Sequence, residues 1–336
     1  MSSGFGQTFF ISIFGGEIRA AFDLSHTAYG SLYATATVIS ALLLVRLGTL
    51  VDIWPLHRVA MLTVLLLAGG CLLLGLAAEA VMLWLGFLLI RLGGQGMMGH
   101  LGMTVAGRYF TADRGKAVAF IAMGFPLSEA ILPVSAVILM QAGSWSLPWL
   151  LSALLLLLVV LPLLWILARQ VPTPDRYIST LQEEDYSRKQ YTRRDALRDP
   201  GLYLLLPALL APPFIVTGIL FHQSAIAELR NWPLTQVAGA FSVFAAGHLL
   251  SLFAAGPLVD RMGAQRFLPL SGLPMAGGLV LFAANEAIWV IFAYLGLIGI
   301  TLGLTSISAG AMWAERYGIR HLGAIRSISQ GAMILS

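Results

Sequence analysis

Two acidic residues, Asp52 and Asp260, end long apolar runs in matching contexts, LGTLVDIWPLHR at 47–58 and AGPLVDRMGAQR at 255–266. Each stretch reads Gly-x-Leu-Val-Asp and carries an arginine six residues after the acid, Arg58 and Arg266. A carboxylate at the carboxyl end of a helix faces the negative end of the macrodipole, so it needs a partner from elsewhere in the fold. An arginine or the amino terminus of a second helix would serve, and the chemistry is reversible pairing rather than bond-making. Arg91, Glu129 and His248 lie inside apolar runs, and His222 lies towards the end of another. An ionisable side chain at mid-bilayer costs roughly 2.5–3.5 kcal/mol on insertion scales and is expected to face an aqueous cavity or a partner.

Arg91 precedes Arg108 by 17 residues and Glu129 follows Gly115 by 14. At a rise of about 1.5 Å per residue, they stand roughly 25 and 21 Å from the loop that joins their spans. Similar depth on consecutive antiparallel helices predicts that the two pair in the empty protein. A bound carboxylate would then compete for Arg91, and the released Glu129 would take up a proton. The alternatives are a permanent structural ion pair, or Glu129 facing a different helix. For His222 and His248 the competing expectations are hydrogen bonding to a ligand and a packing role with one ring nitrogen satisfied.

Elements that position such residues must suit a greasy chain. Hydrophobic residues make up 58% of the 336 and charged residues 11%, and the mean hydropathy is +0.84, whereas soluble chains carry about 25% charge. This composition is that of a membrane protein, for which a span of about 20 apolar residues is the unit. Cys71 is the sole cysteine, which excludes an intrachain disulfide. The basic balance does not indicate nucleic acid, because the positive residues sit in short loops between spans. The first ten residues carry no Lys or Arg, so no secretory n-region is evident.

Apolar runs predict spans at 3–22, 29–51, 57–78, 80–106, 115–140, 146–168, 201–222, 235–258, 265–284 and 287–312, with another starting at 322. Residues 169–199 hold seven basic and six acidic side chains and form a solvated connector. Seventeen of the twenty Lys and Arg residues lie in this connector or in loops on its side. Positive residues favour the cytoplasmic face, which puts the connector and the amino terminus there, in a cell inner (plasma) membrane.

The chain repeats itself. Gly48, Leu50, Val51, Asp52 and Arg58 map onto Gly256, Leu258, Val259, Asp260 and Arg266 at an offset of 208, and the same offset carries Arg108, Tyr109 and Gly115 onto Arg316, Tyr317 and Gly323. A third echo, EIR at 17–19 and ELR at 228–230, lies at an offset of 211. Because six spans separate the copies, both enter and leave the bilayer in the same sense, a parallel repeat.

These features resemble the major facilitator superfamily, whose members join two six-helix halves by a cytoplasmic loop. The family signature Gly-x-Leu-x-Asp-Arg-x-Gly-Arg between helices 2 and 3 is similar to Gly256, Leu258, Asp260, Arg261, Gly263 and Arg266 in the second copy. In the first copy Ile53, Trp54 and Pro55 replace the Arg-x-Gly portion, so only Gly48, Leu50, Asp52 and Arg58 carry over. The resemblance implies an all-α membrane protein of the major facilitator fold, built from two parallel six-helix repeats. It divides the chain into an amino-terminal bundle 1–168, the connector 169–199 and a carboxyl-terminal bundle 200–336. The second copy should run to about residue 376 at the 208 offset, so the expectation is a truncated repeat comprising helices 7 to 10 and the start of 11.

The resemblance also implies roles. The signature acids would pair across the halves, Asp52 with helix 11 near Leu322 and Asp260 with helix 5 near Gly115, as a latch on one of two states; Gly48, Arg58, Gly256, Arg261 and Arg266 would complete this gate. Alternatively, each acid and arginine only holds a tight loop. Arg91, Gly93, Gly94, Gln95, Gly96 and Gly99 loosely resemble the family's helix 4 pattern of arginine and glycines, which adds Gln95 to Arg91, Glu129, His222 and His248 as candidate substrate-binding residues. Gly94, Gly96 and Gly99 also spell Gly-x-Gly-x-x-Gly, but inside an apolar helix, where small residues serve close packing instead of dinucleotide binding.

The expected activity is proton-coupled secondary transport of a small solute by alternating access. No phosphate-binding loop for ATP, no Gly-x-Ser-x-Gly elbow and no metal-ligand spacing occurs, so no enzyme, cofactor or metal is expected. FHQ at 221–223 and RYGIRHLGAI at 316–325 are similar to monocarboxylate-transporter-like members, which makes an organic anion the leading substrate. MGFPLSEAILP at 123–133 lacks the Gly-Pro motif of drug exporters, whose efflux activity is the alternative within the fold. Outside it, the alternative is a non-transporting receptor or an inactive fragment.

Overall fold

Lipid offers no hydrogen bonds, so a spanning segment must satisfy its backbone internally, and helices do so. The computed structural model describes residues 1–110, 114–180, 190–232 and 234–335, and every regular element among them is helical. Among the described residues eight helices are long and apolar enough to cross a bilayer: His26–Ile53, Leu56–Gly75, Ala80–Tyr109, Lys116–Ala142, Ser146–Ala168, Ser242–Met262, Ala264–Ala284 and Trp289–Tyr317. The helix Pro200–Leu229 contributes a shorter apolar stretch, Pro200–Val216. Leu322–Leu335 follows as the start of a further helix.

The expected first span is instead broken. Ser2–Gly6 and Ser12–Phe14 are 3-10 turns alternating with the helices Thr8–Ile11 and Gly15–Ala21. Close approach explains the break. A Cβ on Gly6 would collide with the Ile90 carbonyl and come within 2.8 Å of the Gly94 backbone, so this segment lies backbone to backbone against residues 90–95.

The chain falls into two compact units that do not follow chain order. Met1–Thr104, Leu127–Gln190 and Arg320–Leu335 form one, and Val105–Pro126 and Tyr191–Ile319 form the other. The first is centred on Phe10, Phe14 and Trp149, whose rings meet edge-on or tilted at 4.7–5.2 Å, with Leu67, Leu74, Phe87 and Ile90 buried around them. Gly70 and Gly86 let Leu56–Gly75 and Ala80–Ile90 touch, because a Cβ on either would sit 2.7 Å or less from the facing helix.

In the second unit the helices Leu234–Met262 and Trp289–Tyr317 pack along a glycine seam. Gly247 faces the Gly296 carbonyl, Gly299 faces Phe244, and Gly303 faces Ser251 and His248. Trp232, Phe244, Met275 and Tyr294 fill its core. Leu151, Leu154, Leu158, Leu163 and Ile166 of Ser146–Ala168 stay exposed, as a lipid-facing surface requires.

Candidate functional site

The helix Leu322–Leu335 begins with amide groups that have no partner inside the helix. The Asp52 carboxylate supplies one: Gly323 N donates to Oδ1 at 2.7 Å and Ala324 N to Oδ2 at 2.6 Å. The positive end of that helix dipole thus meets a full negative charge. Two glycines permit the approach. A Cβ on Gly48 would collide with the Ser327 side chain, and one on Gly323 would lie 2.8 Å from the Gly48 carbonyl and 2.9 Å from Asp52 Oδ1. Behind them the fully buried His100 donates from Nε2 to the Gly48 carbonyl at 3.0 Å, and Ser327 Oγ donates to Val45 O at 3.2 Å. Gly48 is buried, Asp52 half-buried and Arg58 exposed.

The second copy is arranged differently. Asp260, Arg261 and Arg266 are exposed and Gly256 is buried. The expected partner of Asp260, the amino end near Gly115, opens the helix Arg114–Ala122, and its first side chains lie outside the described residues. Gly263 has φ of 81°, a conformation that glycine adopts at little cost, and the short helix Ala264–Phe267 after it is capped by Glu315, whose Oε2 accepts from Ala264 N at 2.8 Å. Next to Glu315, Arg316 donates from Nε to Asp199 Oδ2 at 2.8 Å and from Nη1 to Gln265 Oε1 at 2.9 Å, while Tyr317 Oη donates to the same Asp199 oxygen at 2.8 Å. These bonds, led by that from Arg316, hold the Asp199 carboxyl well below its ordinary range, at about 2. Tyr191 N donates to Tyr317 O at 3.1 Å, which ties the end of the connector to the same point.

Arg91 opens a π-helical stretch, Arg91–Met98, inside the Ala80–Tyr109 span, and such bulges recur at functional sites. Its side chain is 3% exposed. The predicted pair with Glu129 is not formed: Arg91 Nη1 donates to Gly6 O at 3.2 Å and Thr8 Oγ1 at 3.3 Å, and Cζ lies 5.2 Å from the Tyr33 ring centroid. The broken amino-terminal segment, wedged against residues 90–95, takes the place that Glu129 was expected to fill. Glu129 itself is half-buried. Arg91 Nε, Gln95 Oε1 and Thr37 Oγ1 are buried without a hydrogen-bond partner among the described residues.

His248 is buried in the glycine seam, with its ring 6.4 Å from that of Phe244. His222 lies on Pro200–Leu229, and its side chain is outside the described residues. The structure therefore brings together Gly48 and Asp52 at one point and Arg91 and Gln95 at another, all in the first unit, whereas His248 belongs to the second. Sequence reasoning missed His100, Tyr33, Thr37, Asp199 and Glu315. Only Asp199 had a signal, as the last acid of the charged connector.

The sequence matches the profile of the Major Facilitator Superfamily over residues 1–333. The chain belongs to that superfamily. In fold it is similar to the proton:xylose symporter XylE, with a TM-score of 0.70, 14% identity, and coverage of 99% of this chain and 84% of that one. It is also similar to a bacterial homologue of the iron transporter ferroportin in an outward-facing state, with a TM-score of 0.69, 18% identity, and coverage of 99% and 86%. In sequence it is 30% identical over 124 residues to the uncharacterised MFS-type transporter YhjX of Escherichia coli (strain K12). That match spans 35% of this chain and 31% of the relative. The superfamily chain is thus an all-helical, multi-pass membrane protein, and its relatives are transporters, not enzymes.

Proposed function

We propose that this protein is a secondary transporter that carries a small organic anion, such as a monocarboxylate, by proton-coupled alternating access. The observation that carries the reading is the Asp52 carboxylate on the amides of Gly323 and Ala324. It joins the carboxyl end of a helix of the first sequence copy, 1–168, to a helix start of the second, 200–336, by contacts that can be made in one conformation and released in another. Gly48 and Arg58 belong to this gate, with Gly256, Asp260, Arg261 and Arg266 as its counterpart. The Lys and Arg distribution supports an amino terminus and a connector, 169–199, on the cytoplasmic side of an inner (plasma) membrane.

The anion reading is supported by the buried Arg91, whose charge has an aromatic ring and neutral acceptors around it and, among the described residues, no carboxylate partner. Gln95 lies one turn on. Glu129, His222 and His248 are the further candidates for contact with substrate or coupling proton. Uptake of labelled carboxylates into proteoliposomes under an imposed pH gradient tests the reading. The expected result is gradient-stimulated uptake of at least one monocarboxylate, weakened by Arg91→Lys. Absence of carboxylate uptake under every gradient overturns it.

A further inference from the structure

We infer that the Arg91 subsite selects carboxylates bearing a hydroxyl on the adjacent carbon, which rests on the reading of this protein as an organic-anion transporter. The argument is a matching of unused hydrogen-bonding groups. Both bonds that Arg91 makes to protein leave from Nη1. Nε is buried with no partner, so the Nε–Nη2 edge of the guanidinium, a planar fork that fits a carboxylate with two parallel bonds, is not used by the protein. The Tyr33 ring and the Gly6 carbonyl hold the other side of the group and fix its plane.

Two neutral groups belong to the helix that carries this fork and to the helix that packs on it. Gln95 is four residues after Arg91 in the π-helical stretch, whose wider turn keeps the two on one face, and its Oε1 is buried without a donor. Thr37 is one turn past Tyr33 on the buried face of His26–Leu47, it is 9% exposed, and its Oγ1 has no partner. That face touches the π-helical stretch at both ends, through Tyr33 on Arg91 and through Leu44, 3.3 Å from where a Cβ on Gly96 would stand. Thr37 therefore lies opposite the turn that carries Gln95.

Leaving a buried polar atom unpaired costs about 1–3 kcal/mol, and two such atoms on the helices that hold an unpaired guanidinium edge call for a ligand that satisfies them when the site opens. A hydroxyl both donates and accepts, so it can give its proton to Gln95 Oε1 and accept from Thr37 Oγ1. A keto oxygen can only accept and leaves Oε1 without a donor, and an unsubstituted carbon serves neither group.

The experiment uses three probes of equal chain length, lactate, pyruvate and propionate, competing for uptake into proteoliposomes that contain the full chain. Lactate is expected to bind at least about tenfold more tightly than either of the others, since a site built around a substrate hydroxyl rejects analogues that lack it. Gln95→Leu and Thr37→Val are expected to bring the three within about twofold while propionate binding persists, and Arg91→Lys is expected to weaken all three together. Retained propionate binding shows that a variant is folded. Equal binding of the three probes by the unaltered protein, or an undiminished lactate preference in both Gln95→Leu and Thr37→Val, overturns the hydroxyl inference and leaves the anion reading standing. Failure of all three probes to bind overturns both.

Discussion

His100 and Gly48, 52 positions apart in sequence, are joined by a 3.0 Å hydrogen bond from the imidazole Nε2 to the glycine carbonyl. A carbonyl can only accept, so the proton resides on Nε2. The same carbonyl lies 2.8 Å from where a Cβ on Gly323 would stand, which places His100 directly behind the Asp52 contact. His100→Ala removes the donor and leaves a buried carbonyl unpaired, a loss of about 1–3 kcal/mol. The thermal midpoint of the purified protein should fall by a few degrees, and His100→Gln, which keeps an N–H donor, should recover part of it. Equal midpoints for the three proteins would refute the role.

The Asp52 cap is expected to bias the conformational equilibrium of the protein. A capping carboxylate on two helix amides contributes about 0.5–2 kcal/mol, so its loss should change the ratio of gated to ungated forms by roughly 2- to 30-fold. A cysteine introduced by Ser327→Cys in a Cys71→Ala background reports on this, since Cys71 is buried and otherwise the only cysteine. Its alkylation should be faster with Asp52→Ala and intermediate with Asp52→Asn, which retains one acceptor oxygen. An unchanged rate in both would remove Asp52 from the gate.

Gly323→Ala should act in the same direction by sterics alone. Its methyl would press on the Gly48 carbonyl and Asp52 Oδ1 at 2.8 and 2.9 Å, and the backbone has little room to yield. Overpacking of this kind costs about 1–3 kcal/mol. The midpoint should drop and uptake should slow together, and wild-type values of both would contradict the close approach.

Tyr33 orients Arg91 through its ring face, with the guanidinium carbon 5.2 Å from the centroid. Such a contact is worth about 0.5–2 kcal/mol, so Tyr33→Leu should raise the KM for a carboxylate by roughly 2- to 30-fold. Tyr33→Phe keeps the ring and should stay within about twofold of the unaltered protein. If the two variants behave alike, the ring is not what positions Arg91.

Asp199 ties the connector to Arg316, and its pH behaviour follows from its depressed pKa of about 2. A carboxyl held below its ordinary value stabilises the fold above that ordinary value, near pH 4, and the benefit fades only as pH falls towards about 2. The clamp is therefore fully charged from pH 5 to 8. Asp199→Asn should loosen residues 191–199, seen as faster amide exchange, yet leave any pH dependence of uptake between 5 and 8 unchanged. A shifted pH profile in that variant would show that the clamp titrates after all.

Much of the architecture was legible because burial in lipid imposes a simple rule. Apolar runs of span length must be helices, and the predicted 57–78 and 287–312 spans correspond closely to Leu56–Gly75 and Trp289–Tyr317. The predicted 3–22 span did not stay whole. Its composition suits a continuous helix, but Gly4 and Gly6 let the backbone settle directly on its neighbours, and that contact sets the path. The π-helical turn after Ile90 was hidden for the same reason, since glycines at 93, 94 and 96 mark small size and not helical period.

For the candidate sites, the order of residues alone reveals which charges sit inside apolar runs and that the Asp52 context is repeated at Asp260. Residue type and spacing carry that information, because a charge in lipid and a duplicated loop are both visible in one dimension. The partners emerge from packing in three dimensions: Gly323 and Ala324 for Asp52, Gly6, Thr8 and Tyr33 for Arg91, Gly48 for His100, and Arg316 for Asp199. Hydrogen bonds and ring contacts act over about 3–6 Å, and residues 52 to 272 positions apart come that close only after the helices have packed.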